Sequence, residues 1–238
     1  MTLDEATLGA LIAAFVRGSA LAATAPVIGD SGTPVRARLV FVIAVAIGVG
    51  LNRPGVPLAE LPMVVALEIA AGLITGATAR FALAKVAVAG QLMGLSLGLG
   101  FASAYDASAQ ESAGTLRTIL ATIAGLAFLG AGGLEAIVRS VAASPATLTD
   151  VALLGPGLMR AATSAFGHGL ALAGPIVLAA LVANIGLAVM NRAAPAVNVF
   201  SISLPAVLVL GGIVLLATSG KLFGGIVDAA QRAVAVFQ

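Results

Sequence analysis

Long apolar stretches separated by short polar breaks make up most of this 238-residue chain. A helix needs roughly 20 apolar residues to cross a bilayer, and most of the stretches reach or approach that length. None of them alternates apolar and polar residues as barrel strands do, so we predict helices. The predicted helical stretches are residues 8–28, 35–51, 61–79, 81–104, 116–138, 166–190 and 199–217. The pattern therefore predicts an all-α integral membrane protein with about six to seven hydrophobic helices.

The remaining stretches predict a loop, a boundary and an amphipathic segment. Residues 105–114, YDASAQESAG, are the most polar part of the chain and predict a loop. Residues 140–160 contain Ser, Thr, Pro and Gly and are the best candidate for a domain boundary. Residues 221–238 predict an amphipathic helix that has Asp228 and Arg232 away from its apolar face. The apolar face would consist of Ile226, Ala229, Ala230, Ala233 and Val234.

The composition strengthens the membrane prediction and excludes several kinds of function. Hydrophobic residues make up 60% of the chain and charged residues only 9%, against about 25% charged in typical soluble domains. Trp is absent and Tyr occurs once, so the chain offers no stacking platform and we expect no nucleic-acid partner. Cys is absent, which excludes disulfides and thiolate metal sites. Arg and Lys occur at nearly every junction, so their distribution predicts no orientation and hints that the helices do not all span separately.

Two ionisable residues stand inside predicted helices, and such residues are functional candidates by default. Arg17 lies in the first stretch and Glu68 in the third. Glu68 could bind a proton or cation in a small secondary transporter. The alternative, which we favour, is structural: each charged group pairs with a neighbouring helix or subunit.

Small residues recur every four positions in the third and fourth stretches. Glu68, Gly72 and Gly76 fall on one helix face, as do Gly90, Gly94 and Gly98. Glycines at this spacing let helix backbones approach closely. We therefore expect these faces to pack against other helices or subunits.

One catalytic motif is present in the sequence, but its context is wrong for catalysis. Residues 94–98, GLSLG, match the G-x-S-x-G nucleophile pattern, which requires a strand-to-helix turn. A membrane serine hydrolase using Ser96 and His168 is conceivable, but helical glycine spacing favours a packing role for Ser96. His168 is the only histidine, and a zinc site needs three or four ligands. We expect no catalytic residues, no metal and no cofactor.

The stretch around Pro195 and Asn198 resembles a known family. Residues 191–200, NRAAPAVNVF, followed by Leu204 and Pro205, resemble the closing signature of the FliR family of flagellar biosynthesis proteins. That family includes related components of virulence type III secretion systems. Earlier elements agree in order: Arg17 before residues 25–29, the Glu68 helix, and residues 90–96, GQLMGLS. The chain departs from many relatives at Leu134, where they have His, and at Ala196, where they have Gln.

The resemblance implies a subunit of the type III protein export gate in the bacterial inner membrane. Such subunits assemble with FliP-like and FliQ-like proteins and an FlhB-like switch protein, and unfolded export substrates pass through the channel. The helices are expected to form tilted hairpins within one membrane domain. Residues 1–150 would be a FliP-like half, and residues 160–238 a FliQ-like hairpin with an amphipathic tail. An injectisome homologue is the alternative within the family.

The resemblance also implies roles for particular residues. The loop between the middle helices would plug the pore, and its candidate residues are Tyr105, Asp106, Gln110, Glu111 and Gly114. Pro195 and Asn198 would serve subunit packing, together with the charged residues and glycines singled out above. No enzymatic activity is implied.

Overall fold

The computed structural model describes residues 4–99, 114–193 and 199–237, and within them it contains seven α-helices and no strand. The seven helices in chain order are α1 (Glu5–Thr24), α2 (Val35–Gly50), α3 (Leu61–Ser96), α4 (Thr115–Gly130), α5 (Gly133–Ala142), α6 (Leu148–Ala193) and α7 (Val199–Ala235). The prediction of an all-α protein is confirmed.

Local chemistry explains where the first helices begin and end. Asp4 caps α1 by accepting a hydrogen bond from the backbone N–H of Thr7 at 3.0 Å. Ala25 is extended, as expected of a residue before proline, and α1 ends there. Pro34 directly precedes α2, where its fixed φ suits the entry to a helix.

Two predicted helix boundaries are wrong. The third and fourth apolar stretches form one helix, α3, because Arg80 between them is a good helix former and does not interrupt it. The last stretch and the predicted amphipathic segment likewise form one helix, α7, which includes Pro205. Residues 140–160 are mostly helical, with residues 143–147 between α5 and α6, and the domain boundary placed there stays a prediction.

The fifth apolar stretch is not one straight helix but two, α4 and α5. Their axes differ by 59°. Gly132 sits at the break with a φ of 87°, a left-handed conformation that glycine adopts without steric cost. The bend places the ring of Phe128 against Gly133, where a Cβ would come within 2.4 Å of ring atoms. A side chain at position 133 would therefore displace this ring.

The chain divides into two compact units, each made of separate segments. The first contains the described residues of Met1–Leu83, Gly125–Ser164 and Ala229–Gln238. Its core contains apolar side chains from several helices, and the rings of Phe128 and Phe237 lie 6.3 Å apart. Its largest fully buried apolar residues include Leu21, Phe128, Ile137 and Val141.

The second unit contains the described residues of Ala84–Ala124 and Ala165–Asp228. Glycines bring its helices close together. A Cβ on Gly90 would lie 2.8 Å from the Cα of Arg117 in α4, and one on Gly169 would lie 2.8 Å from the carbonyl oxygen of Lys85 in α3. Backbone atoms thus form part of the contacts of α3 with α4 and with α6, as is common where helices associate in membranes.

Within the described residues, four helices are long and apolar enough to cross a membrane, and five if the bent α4–α5 pair is one span. Their candidate spans are Glu5–Thr24, Leu61–Ser96, Leu148–Ala193 and Pro205–Ala235. At 1.5 Å per residue, α6 is roughly 70 Å long, against about 30 Å of hydrocarbon in a bilayer. Many large apolar side chains are exposed, including Leu153 at 72% and Leu216 at 76%. These features identify an all-α membrane protein, as predicted.

Candidate functional site

Three charged side chains from separate parts of the sequence meet in the interior of the first unit. Arg17 lies in α1, Arg53 in the loop after α2, and Glu68 in α3. Glu68 has no exposed surface, and Arg17 and Arg53 are each only 6% exposed. We call these three residues the charge cluster.

Glu68 is the centre of the charge cluster because each of its carboxylate oxygens faces a cation. Oε1 accepts a hydrogen bond from Arg53 Nη2 at 2.7 Å and another from the backbone N–H of Ala146 at 3.2 Å. Oε2 forms an ion pair with Arg17 Nε, although the direction of that N–H does not make a hydrogen bond between them. One carboxylate therefore joins α1, the loop after α2, and the loop that follows α5.

Arg17 extends the charge cluster to the end of α5. Its Nη1 donates to the carbonyl oxygen of Ser140 at 3.0 Å and to that of Ser144 at 3.3 Å. The last carbonyls of a helix lack intrahelical partners and carry partial negative charge. A buried arginine thus satisfies an acceptor that α5 itself cannot satisfy, and it also neutralises Glu68.

The glycines that follow Glu68 bring α3 and α1 together. A Cβ on Gly72 would lie 2.7 Å from the Cβ of Ala20 and 3.0 Å from the carbonyl oxygen of Arg17. A Cβ on Gly76 would lie 2.2 Å from Thr24 Oγ1. Real Cβ atoms do not come as close as 2.7 Å or 2.2 Å to other atoms. Helix α3 can therefore approach α1 this closely only with glycine at positions 72 and 76. This approach places the Glu68 carboxylate beside Arg17.

A second close approach positions Arg53. The backbone N–H of Val56 donates to the carbonyl oxygen of Ala6 at 3.0 Å, which fixes the loop against the first turns of α1. Gly9 permits this contact, since a Cβ there would lie 2.2 Å from the carbonyl oxygen of Val56. The loop therefore passes next to α1 and directs Arg53 inward.

The charge balance of the cluster favours a structural role. Two arginines and one glutamate bury a net positive charge, so the ion pairs must offset a large desolvation penalty. Removing one partner of such a buried pair costs about 3–5 kcal/mol, because the remaining charge is left uncompensated. A transported cation would have to displace an arginine from Glu68. This geometry argues against Glu68 as a carrier of protons or cations.

A cavity of about 930 Å³ opens beside the charge cluster within the first unit. Arg17, Ser140 and Ser144 form part of its wall, together with Arg139 and Asp150. The last two are already engaged: Arg139 with Glu135 at 2.5 Å and Asp150 with the backbone N–H of Thr147 at 2.9 Å. The polar groups of the wall are thus mostly satisfied within the chain.

The other glycines that the sequence singled out lie in the second unit. Gly90 contacts α4, whereas a Cβ on Gly94 would meet only the Cβ of Leu116 at an ordinary 3.9 Å. Gly98 lies beyond the end of α3 with a φ of 73°. A left-handed residue here lets the chain turn out of the helix.

Several predicted residues lie outside the described part of the chain. They are Tyr105, Asp106, Gln110 and Glu111 of the predicted plug, and Pro195 and Asn198 of the closing signature. Gly114, at the end of the predicted plug, directly precedes α4, and a Cβ there would lie 3.6 Å from Gln91 Oε1. The roles of all these residues stay predictions.

Two functional candidates were missed by sequence reasoning. Arg53 lies between predicted helices and was not singled out, and it is buried because the loop that carries it packs on α1. Lys85 was overlooked inside the fourth apolar stretch, although a lysine within apolar sequence should have been flagged. It pairs with Asp228 at 2.6 Å.

The described residues offer little for catalysis or metal binding. Ser96 Oγ donates to the carbonyl oxygen of Leu92, one turn earlier in its own helix, at 2.8 Å. Its proton therefore satisfies a backbone carbonyl, as is common for serine in helices. Within the part of the chain that the structure describes, no three His, Asp or Glu side chains come together as a metal site would require.

Comparison with known proteins identifies the family. A sequence model of the bacterial export proteins, family 1, matches residues 8–233, nearly the whole chain. The chain belongs to this family of bacterial export proteins. The resemblance to FliR proteins predicted from the sequence is thereby confirmed.

Individual members of the export family agree with this assignment. The flagellar biosynthetic protein FliR of Escherichia coli (strain K12) is 29% identical over 210 residues, covering 82% of this chain and 78% of the relative. FliR of Caulobacter vibrioides is 29% identical over 212 residues, covering 83% of each chain. FliR of Pectobacterium carotovorum is 30% identical over 211 residues, covering 83% of this chain and 79% of the relative.

Proposed function

We propose that this chain is a subunit of the flagellar protein export gate in the bacterial inner membrane. The observation that carries the proposal is the family match across residues 8–233, together with relatives named as flagellar biosynthetic proteins. In this role the chain builds a passage and performs no chemistry. Unfolded flagellar proteins move through the channel, which the chain forms with FliP-like and FliQ-like subunits and an FlhB-like switch protein.

The exposed apolar surface supports an assembled state. Leu39, Val40, Ile43 and Ile47 recur at helical spacing on α2 and are all about half exposed or more. Soluble monomers rarely expose contiguous apolar patches of more than a few hundred Å². Helix α2, at 16 residues, is also too short to be a candidate span. A neighbouring subunit is therefore a natural partner for this face of α2.

The charge cluster supports the same role from inside the chain. It joins α1, α3 and two loops through a single carboxylate, which holds the first unit in one arrangement. A channel subunit needs such a fixed frame, because its partners must meet surfaces of constant shape. We assign Arg17, Glu68 and Arg53 to this frame.

Two finer assignments belong to the same proposal. Residues 1–150 correspond to a FliP-like half, and residues 160–238 to a FliQ-like hairpin. Residues 105–114 form the plug of the closed pore. Deleting residues 106–111 should then raise ion leakage through the assembled gate, measured as potassium efflux from cells. Unchanged efflux, with normal amounts of assembled gate, would refute the plug.

The main test is deletion of the gene in its own host. The deletion strain should lose motility and stop secreting flagellar proteins into the medium, and the plasmid-borne chain should restore both. FliP-like and FliQ-like proteins should co-purify with the tagged chain. Secretion of needle proteins rather than flagellar proteins would assign the chain to an injectisome. Normal motility together with failed co-purification would contradict the proposal.

A variant at the closing signature sharpens the test. Asn198→Leu should reduce both co-purification and motility, because an amide that positions a subunit contact is lost. Asn184→Leu is the matched control: the same substitution at an exposed position of α6. Equal effects of the two variants would show that the signature marks the family without serving assembly.

A further inference from the structure

A second cavity, of about 230 Å³, lies in the second unit where α3, α6 and α7 meet. Polar groups from all three helices line it: Lys85 from α3, His168 from α6, and Thr218, Lys221 and Asp228 from α7. The proposed export role uses none of these groups. The cavity therefore needs an explanation of its own.

The cavity carries an excess of positive charge. Lys85 Nζ donates to Asp228 Oδ2 at 2.6 Å, so these two charges balance each other. The lysine side chain is 8% exposed, whereas the aspartate is 45% exposed at the opening. Lys221 adds a further exposed cation that has no ion-pair partner among residues 4–99, 114–193 and 199–237. A ligand that balances this excess positive charge must be an anion.

The position of the cavity along α6 and α7 indicates the level of lipid headgroups. Residues 174–190 of α6 and 199–217 of α7 contain no charged side chain. His168 precedes the first of these apolar stretches, and Thr218 and Lys221 follow the second. Each apolar stretch is close to the length that crosses a bilayer. Polar groups that flank such stretches lie at the membrane surface, where phosphates are concentrated.

Apolar surface continues from the cavity towards the lipid side. Leu172 and Leu222 belong to the cavity wall itself. Farther along the apolar stretch of α6, Leu178 stays 62% exposed, and it lies three positions after Pro175 of the cavity wall, on the same helix face. An anion with attached acyl chains fits this combination, because its head would face Lys221 while its chains follow this apolar face of α6.

We propose that this cavity binds the phosphate group of an anionic phospholipid. Lys221 supplies the charge that selects the phosphate, and the Lys85–Asp228 pair forms part of the wall. Basic pockets between membrane helices commonly bind anionic headgroups in this way. The site depends on insertion of the chain in a membrane, and not on its role in protein export.

The test measures lipid binding to the purified full-length chain in detergent, together with any subunits that co-purify. Native mass spectrometry counts bound phosphatidylglycerol and, separately, bound phosphatidylcholine. Lys221→Gln should weaken phosphatidylglycerol binding about fivefold, which corresponds to roughly 1 kcal/mol for one surface cation. Lys221→Arg should restore it. Because Lys221 is exposed, neither variant should disturb folding.

Arg192→Gln is the matched control, since it removes one exposed positive charge at the far end of the same apolar stretch of α6. This variant should bind phosphatidylglycerol like the unmodified chain. Equal losses in the two variants would mean unspecific charge attraction and would overturn the proposal. Equal binding of phosphatidylcholine would overturn it as well.

Two further outcomes separate lipid from other anions. Inorganic phosphate at millimolar concentration should not displace the bound phosphatidylglycerol, because it lacks the acyl chains. Displacement by phosphate would reduce the site to a simple anion site and refute the lipid. If Lys221→Gln instead lowers only co-purification of a protein subunit, the cavity receives an acidic side chain of that subunit and the proposal fails.

Discussion

The charge cluster of the first unit and the Lys85–Asp228 pair of the second unit differ in how completely they are enclosed. In the charge cluster, Glu68 is fully buried and is held by two arginines and a backbone N–H. In the second unit, Lys85 has a single carboxylate partner, Asp228, which is 45% exposed beside a cavity. Both contacts place charge in the interior, but the carboxylate is fully buried in the first and 45% exposed in the second.

This difference determines what each contact can do. A carboxylate with every oxygen engaged in the interior is fixed, since any change leaves an uncompensated buried charge. A pair with one exposed end can exchange partners with water or a ligand at little cost, because solvent screens the exposed charge. The charge cluster is therefore suited to holding helices, and the Lys85–Asp228 pair to forming part of a binding site.

Glu68→Gln provides the strongest test of this comparison. The substitution keeps the shape of the side chain but leaves Arg17 and Arg53 buried without a counter-charge. We expect a loss of about 3–5 kcal/mol of stability, seen as a large drop in the thermal unfolding temperature in detergent.

The matched control for Glu68→Gln is Glu135→Gln, which removes a carboxylate from the exposed pair with Arg139. Both side chains of that pair are about 70% exposed, 71% for the glutamate and 69% for the arginine. Its loss should therefore change stability by no more than about 0.5 kcal/mol. Similar unfolding temperatures for the two variants would contradict the structural role of the charge cluster.

Gly72→Ala tests the packing that brings Glu68 to Arg17. The added methyl group would lie 2.7 Å from the Cβ of Ala20, so α3 and α1 must move apart. Overpacking of this kind costs about 1–3 kcal/mol. In Gly48→Ala, the control in α2, the new Cβ meets no atom within 4 Å, and stability should stay equal or rise. Thermal unfolding that ranks these two variants in the opposite order would disprove the close approach.

Asp228→Asn tests the partly exposed Lys85–Asp228 pair. The variant leaves Lys85 without its carboxylate, but water can enter through the cavity and solvate the lysine. We expect stability to fall by about 1 kcal/mol, which is less than the loss of a buried hydrogen bond to a charged group costs. The same unfolding experiment measures it beside Glu68→Gln. A loss as large as that of Glu68→Gln would remove the distinction between the two contacts.

The sequence predicted the class of the fold better than its helix boundaries. Apolar stretches and low charge were enough to predict membrane helices, because lipid imposes both. The boundary at Arg80 was wrong, since one arginine does not end a helix that tertiary contacts support.

The charge cluster was only half predictable for a related reason. Arg17 and Glu68 stood out as charges in apolar sequence, and the glycines after Glu68 indicated close packing. Arg53 gave no such signal, because its burial depends on a loop that folds back on Gly9. Contacts between distant segments, such as Ala146 with Glu68, have no local signature in the sequence.

The smallest expected effect concerns Asp4, at the exposed start of the helix that carries Arg17. The hydrogen bond from the Thr7 hydroxyl, together with that from the Thr7 N–H, lowers the pKa of Asp4 below its usual value of 3.8. Since the folded-state pKa is the lower one, the cap contributes fully above pH 3.8 and is lost as the pH falls through the lowered pKa.

Acid should therefore loosen only the first turn of α1, because the charge cluster holds the rest of the helix. Hydrogen exchange at the amide of Thr7 should accelerate below pH 3.8 relative to amides near Arg17, after correction for the intrinsic pH dependence. Asp4→Asn should remove this pH dependence, since asparagine caps without titrating. If acid instead released the amides around Arg17 together with Thr7, the first turn and the charge cluster would form one cooperative element. The enclosure of Glu68 would then not be what fixes α1.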